Sequence, residues 1–328
     1  MSQYFKSIIV NNENDTIDID IKKRSINDLP QGNLLIKVEY SSLNYKDALS
    51  ASGITGVTKH YPHTPGIDAA GVVMKSNDND FPLGTCVIVT GFDMGMNTSG
   101  GFSEYIRVPS KWAIKCPSNL TTKEAMLIGT AGLTAGLSIT SICDTIILKN
   151  SEVIVSGATG GVGSIGVNLL SNLGAKVTAI TGKINKKKNL MDLGASCVVE
   201  RNDFIKSTKL PLSKGIYNAA LDVVGGEILS SIIASMKYNG IITATGNVSS
   251  PKFETTVFPF ILRANSLIGI DSANCPIEKR KKVWEHFASD WKLNFPNEMQ
   301  KTVNLENMIP EIQKILNGEQ VGRVLLKL

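Results

Sequence analysis

One turn constrains this 328-residue chain more than any other feature. Val153-Ile154-Val155-Ser156 reads as a β-strand and runs directly into Gly157-Ala158-Thr159-Gly160-Gly161-Val162-Gly163-Ser164-Ile165-Gly166. Gly161, Gly163 and Gly166 satisfy G-x-G-x-x-G, with a strand before them and an apolar helical stretch after. In that setting the first glycine permits a tight turn and the second lets backbone N–H groups approach a pyrophosphate. The third packs helix against strand, and the helix N-terminus adds partial positive charge. The motif alone says little. Strand, turn and helix together predict a dinucleotide site built from Ser156, Gly157, Ala158, Thr159, Gly160, Gly161 and Val162.

The residues after the second strand select the dinucleotide. An NAD site places Asp or Glu there, about 20 residues on, to hold the ribose 2′-hydroxyl. Here the strand ends Ala179-Ile180-Thr181-Gly182-Lys183, and no acidic residue occurs between Val153 and Met191. Instead there are Lys176, Lys183, Lys186, Lys187 and Lys188. A 2′-phosphate wants hydroxyl donors and cations at this place. The pattern therefore predicts NADPH, with Thr181 and Lys183 in contact and residues 186–188 as a supporting field.

Strands and helices alternate around the turn. Strands are expected at 176–181, 197–200, 217–224, 241–245 and 267–270, and helices at 164–173, 186–193 and 227–238. That order means an α/β fold with a doubly wound parallel sheet. The first 120 residues have a different texture: short strand-like runs such as Leu34-Leu35-Ile36-Lys37-Val38, broken by Gly53, Gly56, Pro62, Pro65, Gly100 and Gly101. They predict an irregular, mostly β domain. Thr121-Thr122-Lys123-Glu124 is a capping box opening a long helix. The last fifty or so residues are mixed again and end in the strand-like Arg323-Val324-Leu325-Leu326.

Composition excludes several classes. Apolar residues make up 42% and charged residues 19%, so the chain is neither disordered nor fibrous. The net charge of +5, from 34 basic and 29 acidic residues, forms no basic stripe, so no nucleic-acid partner is expected. Residues 125–143 lack charge and are long enough to span a bilayer. Gly129, Gly132, Gly136 and several hydroxyls dilute the stretch, and a buried helix, with no membrane partner, is expected. The five cysteines contain no C-x-x-C and predict neither a zinc cluster nor a disulfide framework. Reduced thiols, and a start at Met1 without a secretory pattern, predict a cytoplasmic location. Of three histidines, His60 and His63 flank Tyr61-Pro62 in a turn with no cysteine at metal spacing, so no metal is expected. One polar cluster remains, around Asn44, Tyr45 and Asp47. Asn44 with Asp47 reads either as a helix cap or as substrate-orienting, and Tyr45 either as an apolar anchor or as a proton donor.

Several stretches, in order, carry a resemblance: Asn44-Tyr45-Lys46-Asp47, Tyr61-Pro62-His63-Thr64-Pro65-Gly66-Ile67-Asp68, Gly129-Thr130-Ala131-Gly132-Leu133-Thr134-Ala135, and the glycine turn. Together they resemble the zinc-free quinone-oxidoreductase branch of the medium-chain dehydrogenases/reductases. Thr255-Thr256-Val257-Phe258-Pro259-Phe260-Ile261-Leu262-Arg263 and Gly269-Ile270-Asp271-Ser272 narrow it to the YhdH/YhfP group, which includes NADPH-dependent acrylyl-CoA reductases. The resemblance implies a GroES-like catalytic domain from residues 1–120 and 275–328 around a Rossmann domain at 121–274, and a homodimer. Ile67 stands where zinc-dependent relatives carry a His ligand. The resemblance also implies cofactor contacts at Tyr45, residues 156–162, Thr181, Gly182, Lys183, Asn247, Ile261 and Ser272. Cys197 stands where relatives often have Arg, which implies that one 2′-phosphate contact is either lost or moved to Arg201.

The expected function is NADPH-dependent reduction of a C=C bond conjugated to a carbonyl, with acrylyl-CoA as substrate. Tyr45 would be proton donor or nicotinamide wall, with Asn44 orienting. Reduction of quinones or general enones is the alternative, and a non-enzymatic NADPH-binding or RNA-associated protein a remoter one.

Overall fold

A computed structural model describes residues 4–14, 16–54 and 56–328. The chain divides into two compact units, Met1–Thr130 with Ala273–Ala288 and Gln300–Leu328, and Ala131–Ser272 with Ser289–Met299.

The first unit opens with a hairpin of β1 (Tyr4–Glu13) and β2 (Thr16–Ser25). In β2, Ile17, Ile19 and Ile21 alternate with polar residues and turn one face to the core. Then come β3 (Leu34–Ser42), the short helix α1 (Tyr45–Ala51), β4 (Asp68–Ser76), β5 (Cys86–Thr90), β6 (Tyr105–Val108) and β7 (Ala113–Lys115). Helix α2 (Thr122–Cys143) starts at the expected capping box: the Thr121 amide donates to Glu124 Oε2 at 2.8 Å, and the Glu124 amide to Thr121 Oγ1 at 3.2 Å. By length and composition α2 could cross a bilayer, but 67% of its most apolar window is buried, as in a core helix. It is also broken at Gly129, whose φ is +50°.

The second unit continues with β8 (Glu152–Val155), α3 (Gly161–Asn172), β9 (Lys176–Thr181), α4 (Lys187–Asp192), β10 (Cys197–Glu200), α5 (Arg201–Ser207), β11 (Tyr217–Asp222), α6 (Gly226–Ala234), β12 (Met236–Ala244), α7 (Phe258–Arg263) and β13 (Ser266–Gly269). The six strands pair in parallel in the order β10-β9-β8-β11-β12-β13, the doubly wound sheet expected. Ile154, Ile180, Ala220 and Ile242 lie in its core, no more than 1% exposed, because helices cover both faces of such a sheet.

One expected element is corrected. The helix predicted at 227–238 stops at Ala234, and Met236 already belongs to β12. Leu229, Ile232, Ile233 and Met236 continue a helical spacing, and all four are buried in either reading. Asn239, at φ +58°, lies where the register with β11 slips, so the strand resumes cleanly only at Ile241.

The chain ends with α8 (Ile277–Ala288), β14 (Gln300–Val303), α9 (Leu305–Leu316) and β15 (Arg323–Lys327). β14 and β15 complete a seven-stranded sheet of the first unit, in the order β14-β15-β3-β4-β5-β7, with β6 pairing β3. Residues 289–299 belong instead to the second unit, where the Asn294 amide donates to Asn168 Oδ1 at 3.0 Å.

Candidate cofactor turn and catalytic cluster

Gly157, at φ +56°, reverses the chain after Ser156, and the Ala158 amide donates to the Ile180 carbonyl of β9 at 3.0 Å. Gly160 caps α3, so the first-turn amides from Gly161 onward have no partner within the helix and suit an anion. A Cβ on Gly163 would stand 2.3 Å from the Gly157 carbonyl oxygen, so the turn closes only with glycine there. A buried acid missed in the sequence fixes it from below: Ser156 Oγ donates to Asp222 Oδ1 at 2.6 Å, and the Gly225 amide to Asp222 Oδ2 at 2.9 Å. Burial pushes the Asp222 carboxyl up, against these hydrogen bonds. Its one legible signal was an acid ending the apolar strand β11.

At the end of β9, Thr181 Oγ1 lies 3.2 Å from Thr159 Oγ1 and accepts the Lys183 amide at 2.9 Å. Arg201 opens α5, and a Cβ on Gly182 would be 3.4 Å from its Cζ. The guanidinium therefore sits directly beside Gly182, next to Thr181 and Lys183. Glu200 lies opposite Thr181, but its carboxylate caps α5 on the Asn202 and Asp203 amides. Hydroxyls, a helix N-terminus and two cations fit a phosphorylated ribose.

Parallel topology carries the turn, Thr181–Lys183, Arg201, Asn247 and Ser272 to one sheet edge, because each follows the carboxyl end of a strand. Asn247 is exposed there, and Ser272 accepts the Thr134 hydroxyl at 2.7 Å. Ile261 is placed differently, 68% exposed on α7.

In the first unit, Asn44 caps α1, and its amide N–H donates to Asp47 Oδ2 at 2.8 Å. Its side chain is fully engaged. Nδ2 donates to Asp68 Oδ2 at 2.8 Å and to the Ser42 carbonyl at 3.2 Å, and Oδ1 accepts from Arg323 Nη1 at 3.3 Å. Asp68 also accepts Ser42 Oγ at 2.6 Å and the amide and hydroxyl of Thr130 at 2.9 and 2.6 Å. Arg323 is 1% exposed and bonds the Leu127 and Met126 carbonyls and Ser42 Oγ. Burial lowers its pKa, while Asp68 and Asp47 oppose that shift. The break at Gly129 makes room: a Cβ there would lie 2.5 Å from Asp68 Oδ2 and 2.8 Å from Arg323 Nη2.

Asp47 is buried and also accepts the Gly66 and Ile67 amides at 3.1 and 2.7 Å. Burial, and then the charge of Asp68, push its carboxyl up to about 7. Tyr45, next to Asn44, is half-buried, and its hydroxyl makes no hydrogen bond among the described residues. His63 is buried with a ring nitrogen 2.8 Å from the Gly95 carbonyl, and burial pushes it down to about 4. Among the described residues no three His, Cys, Asp or Glu side chains gather as a metal-ligand set.

The alcohol dehydrogenase GroES-like domain family matches residues 30–118, and the zinc-binding dehydrogenase family matches residues 161–289. The putative quinone oxidoreductase YhfP of Bacillus subtilis is 40% identical over the whole of both chains. The probable acrylyl-CoA reductase AcuI of Escherichia coli is 39% identical over 91% of this chain and 92% of its own. AcuI of Ruegeria pomeroyi, an acrylyl-CoA reductase, is 35% identical over 98% of both chains. The chain belongs to the YhdH/YhfP family of the quinone-oxidoreductase branch of the medium-chain dehydrogenases/reductases. Among solved structures, YhdH of E. coli with bound NADPH superposes with a TM-score of 0.94 at 36% identity, covering 98% of this chain and 99% of that one. YhfP of B. subtilis with NAD bound gives 0.96 at 40% identity, over all of both chains. A GroES-like domain with a Rossmann domain is thus the family fold and the fold of this chain. Within the family the Asn44–Asp68–Arg323 cluster escaped sequence reasoning, because its members meet only through the sheet: Ser42 and Arg323 are 281 positions apart.

Proposed function

We propose that this YhdH/YhfP-family enzyme is an NADPH-dependent reductase of acrylyl-CoA, forming propanoyl-CoA. The observation that carries the reading is the end of β9, where the Thr181 hydroxyl, Lys183 and Arg201 gather while the neighbouring Glu200 carboxylate is taken up by the Asn202 and Asp203 amides. Identity to acrylyl-CoA reductases and the NADPH-bound YhdH structure support it. When bound, the cofactor supplies a hydride for the β-carbon of the enoyl thioester.

This chain's residues hold and orient it. The amides after Gly160 and the α3 N-terminus take the pyrophosphate, and Thr181, Lys183 and Arg201 the 2′-phosphate. Asn247 and Ser272 belong to the same strand-end set. Tyr45 delivers the proton that the α-carbon needs, its hydroxyl being unengaged. Asn44 positions Tyr45 through the helix cap. We also propose a homodimer formed through the edge strand β13 and α7, where Val257, Phe258, Ile261 and Leu262 are 46–68% exposed. A cytoplasmic setting suits the five unbridged thiols.

The test is cofactor oxidation with acrylyl-CoA and, in parallel, a simple quinone, with NADPH and then NADH. Turnover of acrylyl-CoA with NADPH supports the reading. Turnover of quinone alone moves the function to quinone or enone reduction, the second reading that the 40% identity to YhfP and its NAD-bound structure favour. Quinones need no proton at carbon, so Tyr45→Phe lowers acrylyl-CoA turnover and spares quinone turnover. Equal rates for Tyr45→Phe and wild type with acrylyl-CoA would remove Tyr45 as the acid.

A further inference from the structure

Two thiols that the proposed reduction does not use face each other across the first unit's sheet. β5 and β7 pair antiparallel with Val87 opposite Lys115, so the next pair in register is Cys86 and Cys116. The Cys116 amide donates to the Cys86 carbonyl at 2.9 Å, which makes this a hydrogen-bonded pair. Directly opposed residues of that kind have Cα atoms about 5.5 Å apart with side chains on the same face, inside the span disulfides occupy. Cys116 Sγ lies 3.4 Å from the Leu120 carbonyl. Both cysteines are partly exposed, whereas Cys275 is buried. β7 is a three-residue edge strand, with Pro117 beginning the link to α2, so its end has room to close on Cys86.

We propose that Cys86 and Cys116 form a reversible intramolecular disulfide on exposure to hydroperoxides. Cys86 attacks first. The neighbouring Cys116 thiol lowers the Cys86 pKa, while the Cys86 thiol, burial and the carboxylates of Glu124 and Glu39 raise Cys116. The Cys86 thiolate attacks one peroxide oxygen, the O–O bond breaks, and hydroxide leaves. Sulfur is oxidised by two electrons to the sulfenic acid and the peroxide is reduced. Cys116 sulfur then attacks the sulfenic sulfur, its proton and the departing hydroxide leave as water, and the S–S bond forms.

The experiment treats the folded full-length chain with hydrogen peroxide, blocks remaining thiols with an alkylating agent and maps peptides by mass. The expected result is one linked peptide pair joining Cys86 to Cys116, two hydrogens lighter than the reduced pair and restored by dithiothreitol. Cys86→Ser and Cys116→Ser both lose the link, and Cys116→Ser leaves Cys86 as a sulfenic acid that dimedone traps. Either of two results overturns the proposal: Cys86 and Cys116 staying alkylatable after the exposed Cys143 and Cys197 have oxidised, or Cys86 in the wild type passing to sulfinic acid unlinked. A link found only in urea, from an unfolded chain, overturns it as well.

Discussion

Arg201 tests how the chain distinguishes NADPH from NADH. Its guanidinium stands beside Gly182, at the end of β9, with Thr181 and Lys183. A ribose phosphate there carries close to two negative charges, and losing one charge-assisted hydrogen bond to it costs about 1.5–3 kcal/mol. At about 1.4 kcal/mol per decade, that is roughly a ten- to hundredfold loss of affinity. Arg201 is exposed, so salt screens it, and Arg201→Ala should raise the NADPH Kd about tenfold, less at high salt. Gly182→Asp should do more, since its carboxylate would pair with Arg201 and repel the phosphate. Isothermal titration with NADPH and NADH in parallel is the assay. NADH has no 2′-phosphate, so its Kd should not move in Arg201→Ala. If both cofactors weaken equally, Arg201 supports the fold of the turn and does not read the phosphate.

Three other perturbations are expected to read out in stability. Gly129→Ala drives a methyl into Asp68, Ser42 and Arg323, and should cost about 3–5 kcal/mol in urea unfolding, the cost of breaking a buried ion pair. Asp47, raised to about 7 from an unfolded 3.8, keeps its proton longer in the folded chain. Its contribution to stability is therefore present below the unfolded value and is lost as pH rises through about 7. The wild-type thermal midpoint should fall more steeply from about pH 4 to 7 than that of Asp47→Asn, and parallel slopes would remove Asp47 as the cause. Asn44→Ala leaves Asp68 and Arg323 each short of a partner and should cost about 2–4 kcal/mol in urea unfolding; unchanged stability with a raised substrate KM would make Asn44 a substrate ligand instead.

The second unit was legible because its strands are short apolar runs bounded by glycines, and burial on both faces leaves little else for such runs to be. The bounds of β9 and β10 match their expected residues for that reason. The slip at α6 and β12 has the opposite cause: Met236 is buried as the last residue of a helix face or as the first of a strand, so hydrophobic spacing cannot separate the two. β2 carries a clear period of two in Thr16-Ile17-Asp18-Ile19-Asp20-Ile21, a strand signal present in the sequence that the turn residues of the first 120 positions overshadow. The charges divide along the same line. The lysines at 176–188 sit in one local segment and can be counted, whereas Asp68, Arg323 and Asn44 meet only once the sheet brings them together.

That cluster also bears on the two readings that residues 44–47 left open. Asn44 spends both side-chain polar atoms on Asp68, Ser42 and Arg323, and its backbone amide on Asp47. A side chain so committed has no donor left for a carbonyl or an amide of a ligand. Asp47, meanwhile, ties the start of α1 to the Gly66 and Ile67 amides, fixing the helix at its first turn. Buried charges so fully satisfied hold one geometry well, because any tilt of α1 would leave a carboxylate or the guanidinium unpaired. Among the described residues the Tyr45 hydroxyl makes no hydrogen bond at that helix start, which is what the proposed role as proton donor requires, while the cluster engages Asn44 in holding α1.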